Sequence, residues 1–141
     1  MQMQDRVAFV TGAGRGIGRA VCRELLRRGA AGVVIADLDG AMAQATAAEL
    51  GGLGLQCDVS DEAAVQAAVA AAIAHYGRVD VLLSNAGFGA TELDLDDALA
   101  EPNALWTRMW QVHVMAHVYA SRAVLPGMLE RGEGYLVNVA S

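Results

Sequence analysis

Short apolar runs alternate with longer stretches whose apolar residues recur at three- and four-residue steps. Runs of the first kind predict buried strands and stretches of the second kind predict amphipathic helices. Strand one is predicted from Arg6 to Val10. Helix one begins near Arg15 to Ile17, places Ile17, Ala20, Val21 and Leu25 on one face, and ends around Gly29. Gly32 to Asp37 reads as strand two, the Ala-rich segment Gly40 to Leu50 as helix two, and Leu53 to Gln56 as a short third strand. Ser60 or Asp61 can cap the next helix. Its apolar face is Val65, Ala68, Val69, Ala72, Ile73 and Tyr76, and Gly77 stops it. Val79 to Ser84 is predicted as strand four. The acidic stretch Thr91 to Glu101 leads into a long helix from about Asn103 to Glu130, in which Pro126 should produce a kink or disturb the last turn. Tyr135 to Val139 reads as strand five.

Strands that alternate with helices imply a parallel sheet with right-handed crossovers. The expected fold class is α/β, a Rossmann-like doubly wound sheet of strand order 3-2-1-4-5. Ligands are expected at the carboxyl ends of the strands, near the switch between strands one and four. There is no linker, repeat or low-complexity segment, so residues 1–141 are expected to form a single dinucleotide-binding domain.

The chemistry starts at the first strand end. Thr11-Gly12-Ala13-Gly14-Arg15-Gly16-Ile17-Gly18 lies between strand one and helix one. There, Gly12 permits a sharp turn, Gly16 lets backbone approach a pyrophosphate, and Gly18 lets the helix lie close to the sheet. The helix N-terminus aims N–H groups and partial positive charge at phosphate. A Walker loop needs a Lys followed by Ser or Thr. No Lys occurs anywhere, and all ten basic residues are Arg. Asp37 closes strand two, 19 positions after Gly18. A carboxylate there can accept hydrogen bonds from ribose hydroxyls and would repel a 2′-phosphate, which favours NAD over NADP. Asp37-Leu38-Asp39-Gly40 also reads as a turn and helix cap.

Gly12, Gly16 and Gly18 give T-G-x-x-x-G-x-G rather than G-x-G-x-x-G. This spacing resembles the short-chain dehydrogenase/reductase family. Asn85-Ala86-Gly87, directly after strand four, resembles that family's second signature, and Gly134 to Ser141 resembles its fifth strand with the catalytic Ser. The resemblance runs along essentially the whole chain and implies an NAD(H)-dependent oxidoreductase that moves hydride between nicotinamide and a secondary alcohol or ketone. It implies that Thr11, Gly12, Arg15, Gly16, Ile17 and Gly18 meet the pyrophosphate region. Asp37 and Leu38 would meet the ribose, Asp58 and Val59 the adenine, and Asn85, Ala86 and Gly87 the cofactor beside the central sheet. Arg15 pulls weakly toward NADP, because relatives preferring NADP carry a basic residue in this turn. Ser141 would bind the substrate oxygen. His113 stands where the family commonly has an Asn linked through water to the catalytic Lys. A modified proton relay through His113 and a merely space-filling His are both open. The family's long helix also implies a homo-oligomer, and Trp106, Met109, Trp110, Met115, Tyr119, Val124 and Leu125 cover more than one face of it.

Composition removes other classes. Net charge is −6 and the Arg residues are scattered, so nucleic-acid binding has no electrostatic support. No apolar run approaches the roughly 20 residues that span a bilayer. Residues Met1 to Asp5 carry no secretion core, and a cytoplasmic location is expected. Cys22 and Cys57 read as reduced core thiols. His75, His113 and His117 lack a Cys or carboxylate cluster, so no metal site is expected. In the family a Tyr, then a Lys one helical turn later, follows the Ser. These 141 residues hold no such pair, so the chain is expected to be the front part of an enzyme and inactive by itself. A non-catalytic dinucleotide sensor is the alternative. A methyltransferase also places glycines after strand one, but Asn85-Ala86-Gly87 argues against it. Phe88, Gly89 and Ala90 are candidate substrate contacts.

Overall fold

The first two strands are built almost wholly from Val, Ala, Ile and Phe, residues that fill a pleated surface buried on both faces. A computed structural model describes residues 2–89 and 102–140. In it β1 (Val7–Thr11), β2 (Gly32–Asp37), β3 (Leu53–Gln56), β4 (Val81–Ser84) and β5 (Tyr135–Asn138) form one parallel sheet of order β3-β2-β1-β4-β5, as predicted. The helices are α1 (Gly16–Arg27), α2 (Gly40–Leu50), α3 (Glu62–Tyr76), α4 (Asn103–Trp110) and α5 (Ala116–Arg131).

The helices divide between the faces. Cys22 of α1 and Ala43 and Ala47 of α2 pack with Ala8, Val10, Val33, Ile35 and Val81. On the other face Val65, Ala68, Val69 and Ala72 of α3 join Ala116, Ala120, Val124 and Met128 of α5 over Phe9, Val34 and Leu82. The alanines let helices lie close to the strands, so the Ala-rich segments are packing surfaces. Cys22 and Cys57 are free and buried, and burial raises their thiols to about 12 and about 11. Among the described residues no helix is long and apolar enough to cross a membrane.

Several boundaries differ from expectation. β1 starts at Val7 and includes Thr11, because Arg6 turns outward to pair with Glu133. Asp61, rather than Ser60, caps α3 through Ala63 N–H at 2.9 Å. β4 starts at Val81, and Val79 and Asp80 form the approach to it. β5 ends at Asn138, although Val139 N–H adds one more bond to Ser84 O at 2.9 Å. Helical structure continues through Pro126 to Arg131. The predicted interruption appears earlier, as a π-helical turn at Gln111–Met115 between α4 and α5. That wider turn shifts the helix face, so Val112, Ala116, Ala120, Val124 and Met128 reach the core at four-residue steps. The acidic stretch at 91–101 lies outside the described residues.

Asp80 ties the amino ends of the strands together. It is fully buried and accepts from Val7 N–H at 2.9 Å and from Arg78 Nε at 2.8 Å, with Arg131 at 3.8 Å. Asp80→Ala strands the buried Val7 amide and removes the carboxylate partner of Arg78, while Arg131 keeps its bond to Val79 O, so it should lower stability by about 3 kcal/mol. Urea unfolding followed by circular dichroism measures this, and a loss below about 1 kcal/mol, the size of an ordinary neutral hydrogen bond, would contradict the role.

Candidate dinucleotide groove

In a parallel sheet the chain must leave each strand at its carboxyl end, and the backbone groups there need partners. At the switch between β1 and β4 two side chains supply them. Thr11 Oγ1 accepts from Asn85 N–H and Ala86 N–H, both at 3.0 Å. Asn85 Nδ2 donates to Thr11 O at 3.1 Å and to Gly12 O at 3.2 Å. The glycine turn and the Asn85-Ala86-Gly87 turn are thereby fastened to each other. Contact is so close that a Cβ on Gly12, at φ 63°, would lie 2.8 Å from Ala86 Cα.

Beside this junction opens a cavity of about 510 Å³. Gly12, Arg15, Gly16, Ile17, Asp37, Leu38, Asp58, Val59, Asn85, Ala86 and Gly87 all line it. Thr11 and Gly18 are buried behind it. A Cβ on Gly18 would strike Gly12 O and come within 2.8 Å of Ala13 Cα, so this glycine fixes how closely α1 meets β1. Gly16 differs, because nothing lies within 4 Å of its Cβ position and its φ is 56°. It therefore faces open groove. α2 is capped by Asp39, whose side chain accepts from Met42 N–H at 3.0 Å. Among the described residues α1 has no capping side chain and no acid in its first turn. Its N-terminal N–H groups stay available to an anion.

The carboxylate of Asp37 is aimed by backbone. Oδ2 accepts from Gly14 N–H at 2.8 Å and Oδ1 from Asp39 N–H at 3.0 Å. Gly14 went unremarked in the sequence. It is buried, its carbonyl accepts from Thr46 Oγ1 at 2.8 Å, and a Cβ would lie 2.9 Å from Asp37 Oδ2. The G-x-G step at Gly12 and Gly14 was the available signal. Across the groove, Asp58 Oδ1 accepts from Ser60 N–H at 3.0 Å and Ser60 Oγ at 2.6 Å. Partial burial would raise its pKa, but the Ser60 bonds and the Arg108 charge outweigh that and hold it below the ordinary carboxylate value. Phe88, a candidate substrate contact in the sequence, also lines the cavity, and Cys57, Arg108 and Val112, which the sequence reading missed, complete it.

His113 sits in the π-turn rather than in the lining. Its Nε2 is 2.8 Å from Phe88 O, and its ring fills the space that a Cβ on Gly87 would need. The same Nε2 lies 3.4 Å from Phe88 N, so it donates to the carbonyl in one tautomer and accepts from the amide in the other. One turn on, His117 Nδ1 is buried without a partner among the described residues, and burial followed by the His113 charge lowers its pKa. Ser141 and Ala90 lie outside the described residues.

Comparison with known proteins decides the family. The profile described as short chain dehydrogenase matches residues 6–141. The chain belongs to the short-chain dehydrogenase family. D-threitol dehydrogenase of Mycolicibacterium smegmatis is 38% identical, covering 99% of this chain and 54% of that protein. A family member from Burkholderia phymatum, solved in complex with NAD, superposes with a TM-score of 0.91 at 33% identity, over 100% of this chain and 50% of that one. A metagenomic short-chain oxidoreductase in complex with NADP gives a TM-score of 0.83 at 33% identity, over 100% and 64%. The chain thus spans about half the length of the short-chain dehydrogenases it matches.

The two glycines should separate packing from access. Gly18→Ala should destabilise the fold by about 2–4 kcal/mol through overpacking against β1, whereas Gly16→Ala should cost only about 1–2 kcal/mol for its left-handed backbone. Thermal unfolding of both variants measures this. Equal losses would contradict the assigned contacts.

Proposed function

We propose that this protein is an NAD(H)-dependent oxidoreductase that moves hydride between nicotinamide and a secondary alcohol or ketone, and that residues 1–141 are its dinucleotide-binding domain. The observation that carries the reading is the joining of an uncapped helix N-terminus, an open Gly16 and a backbone-aimed Asp37 in one groove. A dinucleotide fits these residues. The Gly12 to Gly18 turn, braced from behind by Thr11 and flanked by Arg15 and Ile17, would hold the pyrophosphate. Asp37 and Leu38 would hold the adenosine ribose, Asp58 and Val59 the adenine, and Asn85, Ala86 and Gly87 the nicotinamide half.

The bound nicotinamide supplies or accepts the hydride, which is its own chemistry. The chain's residues bind and orient it. Ser141 binds the substrate oxygen, and His113, whose ring packs over Gly87 and bonds to Phe88, positions protons near the Asn85 turn. A Tyr with a Lys one helical turn later would supply the acid/base in the family pattern. No Lys occurs in these 141 residues, so by themselves they should bind without turnover. The alternative is a non-catalytic dinucleotide sensor, and steady-state turnover by the full coding product with secondary alcohols separates the two. We further propose a cytoplasmic homo-oligomer. Trp106 and Trp110 of α4 are each more than half exposed and offer the apolar surface for a second subunit. Light scattering should show a dimer or larger for the full coding product, and a monomer at micromolar concentration would contradict it.

Cofactor choice follows from charge. A 2′-phosphate beside the Asp37 carboxylate meets like charge, and Arg15 offsets this only in part. NADH should therefore bind more tightly than NADPH in a fluorescence titration. Asp37→Ser should narrow the gap by roughly 1–3 kcal/mol, the scale of a lost charged hydrogen bond. Equal affinities in the unaltered protein would overturn the assignment.

A further inference from the structure

Arg108 stands in the groove with no part in the roles above. It comes from α4, and Val112, four positions on, lines the same wall. The facing wall is built by the segments after β2 and β3, with Leu38, Asp58 and Val59. Arg108 Nη2 lies 3.3 Å from Asp58 Oδ2. Ser60 already donates twice to Oδ1, so Oδ2 is the Asp58 oxygen with acceptor directions left. The Arg108 contact is long for a charge-assisted bond, and its side chain is 45% exposed. Such a pair is easily shared with another donor. Among the described residues this is the only side-chain hydrogen bond of Arg108, so most of its guanidinium N–H groups are unused.

We propose that Arg108 is a base-recognition residue. With dinucleotide in place, its guanidinium lies flat on the adenine ring while Asp58 Oδ2 takes an amino hydrogen at the ring edge. One ion pair thereby holds the base by edge and by face. Leu38, Val59 and Val112 offer only aliphatic surface, whereas a guanidinium stacks on an aromatic plane with a cation–π contribution. The inference rests on the groove being a dinucleotide site and adds the residue that grips its purine half.

The test titrates NADH by fluorescence and uses 5′-AMP, the adenine half alone, as displacer. Wild type is compared with Arg108→Ala and Arg108→Lys, each checked for folding by circular dichroism. Arg108→Ala should weaken NADH about ten-fold, within the range of a desolvated cation–π contact, and weaken 5′-AMP by the same factor. Arg108→Lys keeps the charge and the reach to Asp58 but loses the plane, so it should recover less than half of that loss. An unchanged NADH affinity in Arg108→Ala overturns the inference. Full recovery in Arg108→Lys also overturns it, since that marks an ion pair that only braces α4. So does a NADH loss not matched by 5′-AMP. Failure of the wild type to bind NADH would instead refute the dinucleotide reading itself.

Discussion

Everything at the groove depends on the fastening between Thr11 and Asn85. Two strand ends diverge there, and their backbone groups cannot all pair with each other. One hydroxyl oxygen takes two amides, and one carboxamide serves two carbonyls. The four bonds make the glycine turn and the Asn85-Ala86-Gly87 turn one rigid floor. Its rigidity lets Gly16 and Gly87 do without side chains and still hold a shape. A groove wall made of glycine would otherwise carry a large entropic cost on ordering.

From that floor the chemistry divides along the groove. At one end Asp37 is oriented by two backbone amides, so its charge is fixed rather than swinging. At the other end His113 is packed over Gly87 and bonded to Phe88. The π-turn that carries His113 also resets the register of α5 onto the sheet. The site and the core are thus coupled through one irregular turn. On the far side β5 pairs with β4, yet Tyr135, Leu136 and Val137 are each about 40% exposed.

Much of this was legible in the sequence because the signals are local. Apolar period marked the strands and helices to within a residue or two, their alternation implied the doubly wound strand order, and Asp39 and Asp61 cap where turn chemistry says they should. The glycine spacing, Asp37 and Asn85-Ala86-Gly87 each stand at a strand end, where function concentrates in such sheets. What escaped is what folding brings together from afar. Arg108 and Asp58 are 50 positions apart, and Thr46 and Gly14 are 32 apart. Neither pair leaves a periodic trace. The π-turn was hidden for another reason, since an apolar pattern one residue out of phase still reads as a helix. Pro126 drew attention as a breaker, but the widened turn at Gln111–Met115 is where the helix departs from regular geometry.

On the proposed reading, the floor joined by Thr11 and Asn85 is the dinucleotide cradle. Amide hydrogen exchange of the protein with and without NADH tests it directly. Protection should rise together in Gly14 to Gly18 and in Asn85 to Phe88, with segments such as Met128 to Gly134 unchanged. Protection that appears elsewhere while both turns exchange as before would contradict it.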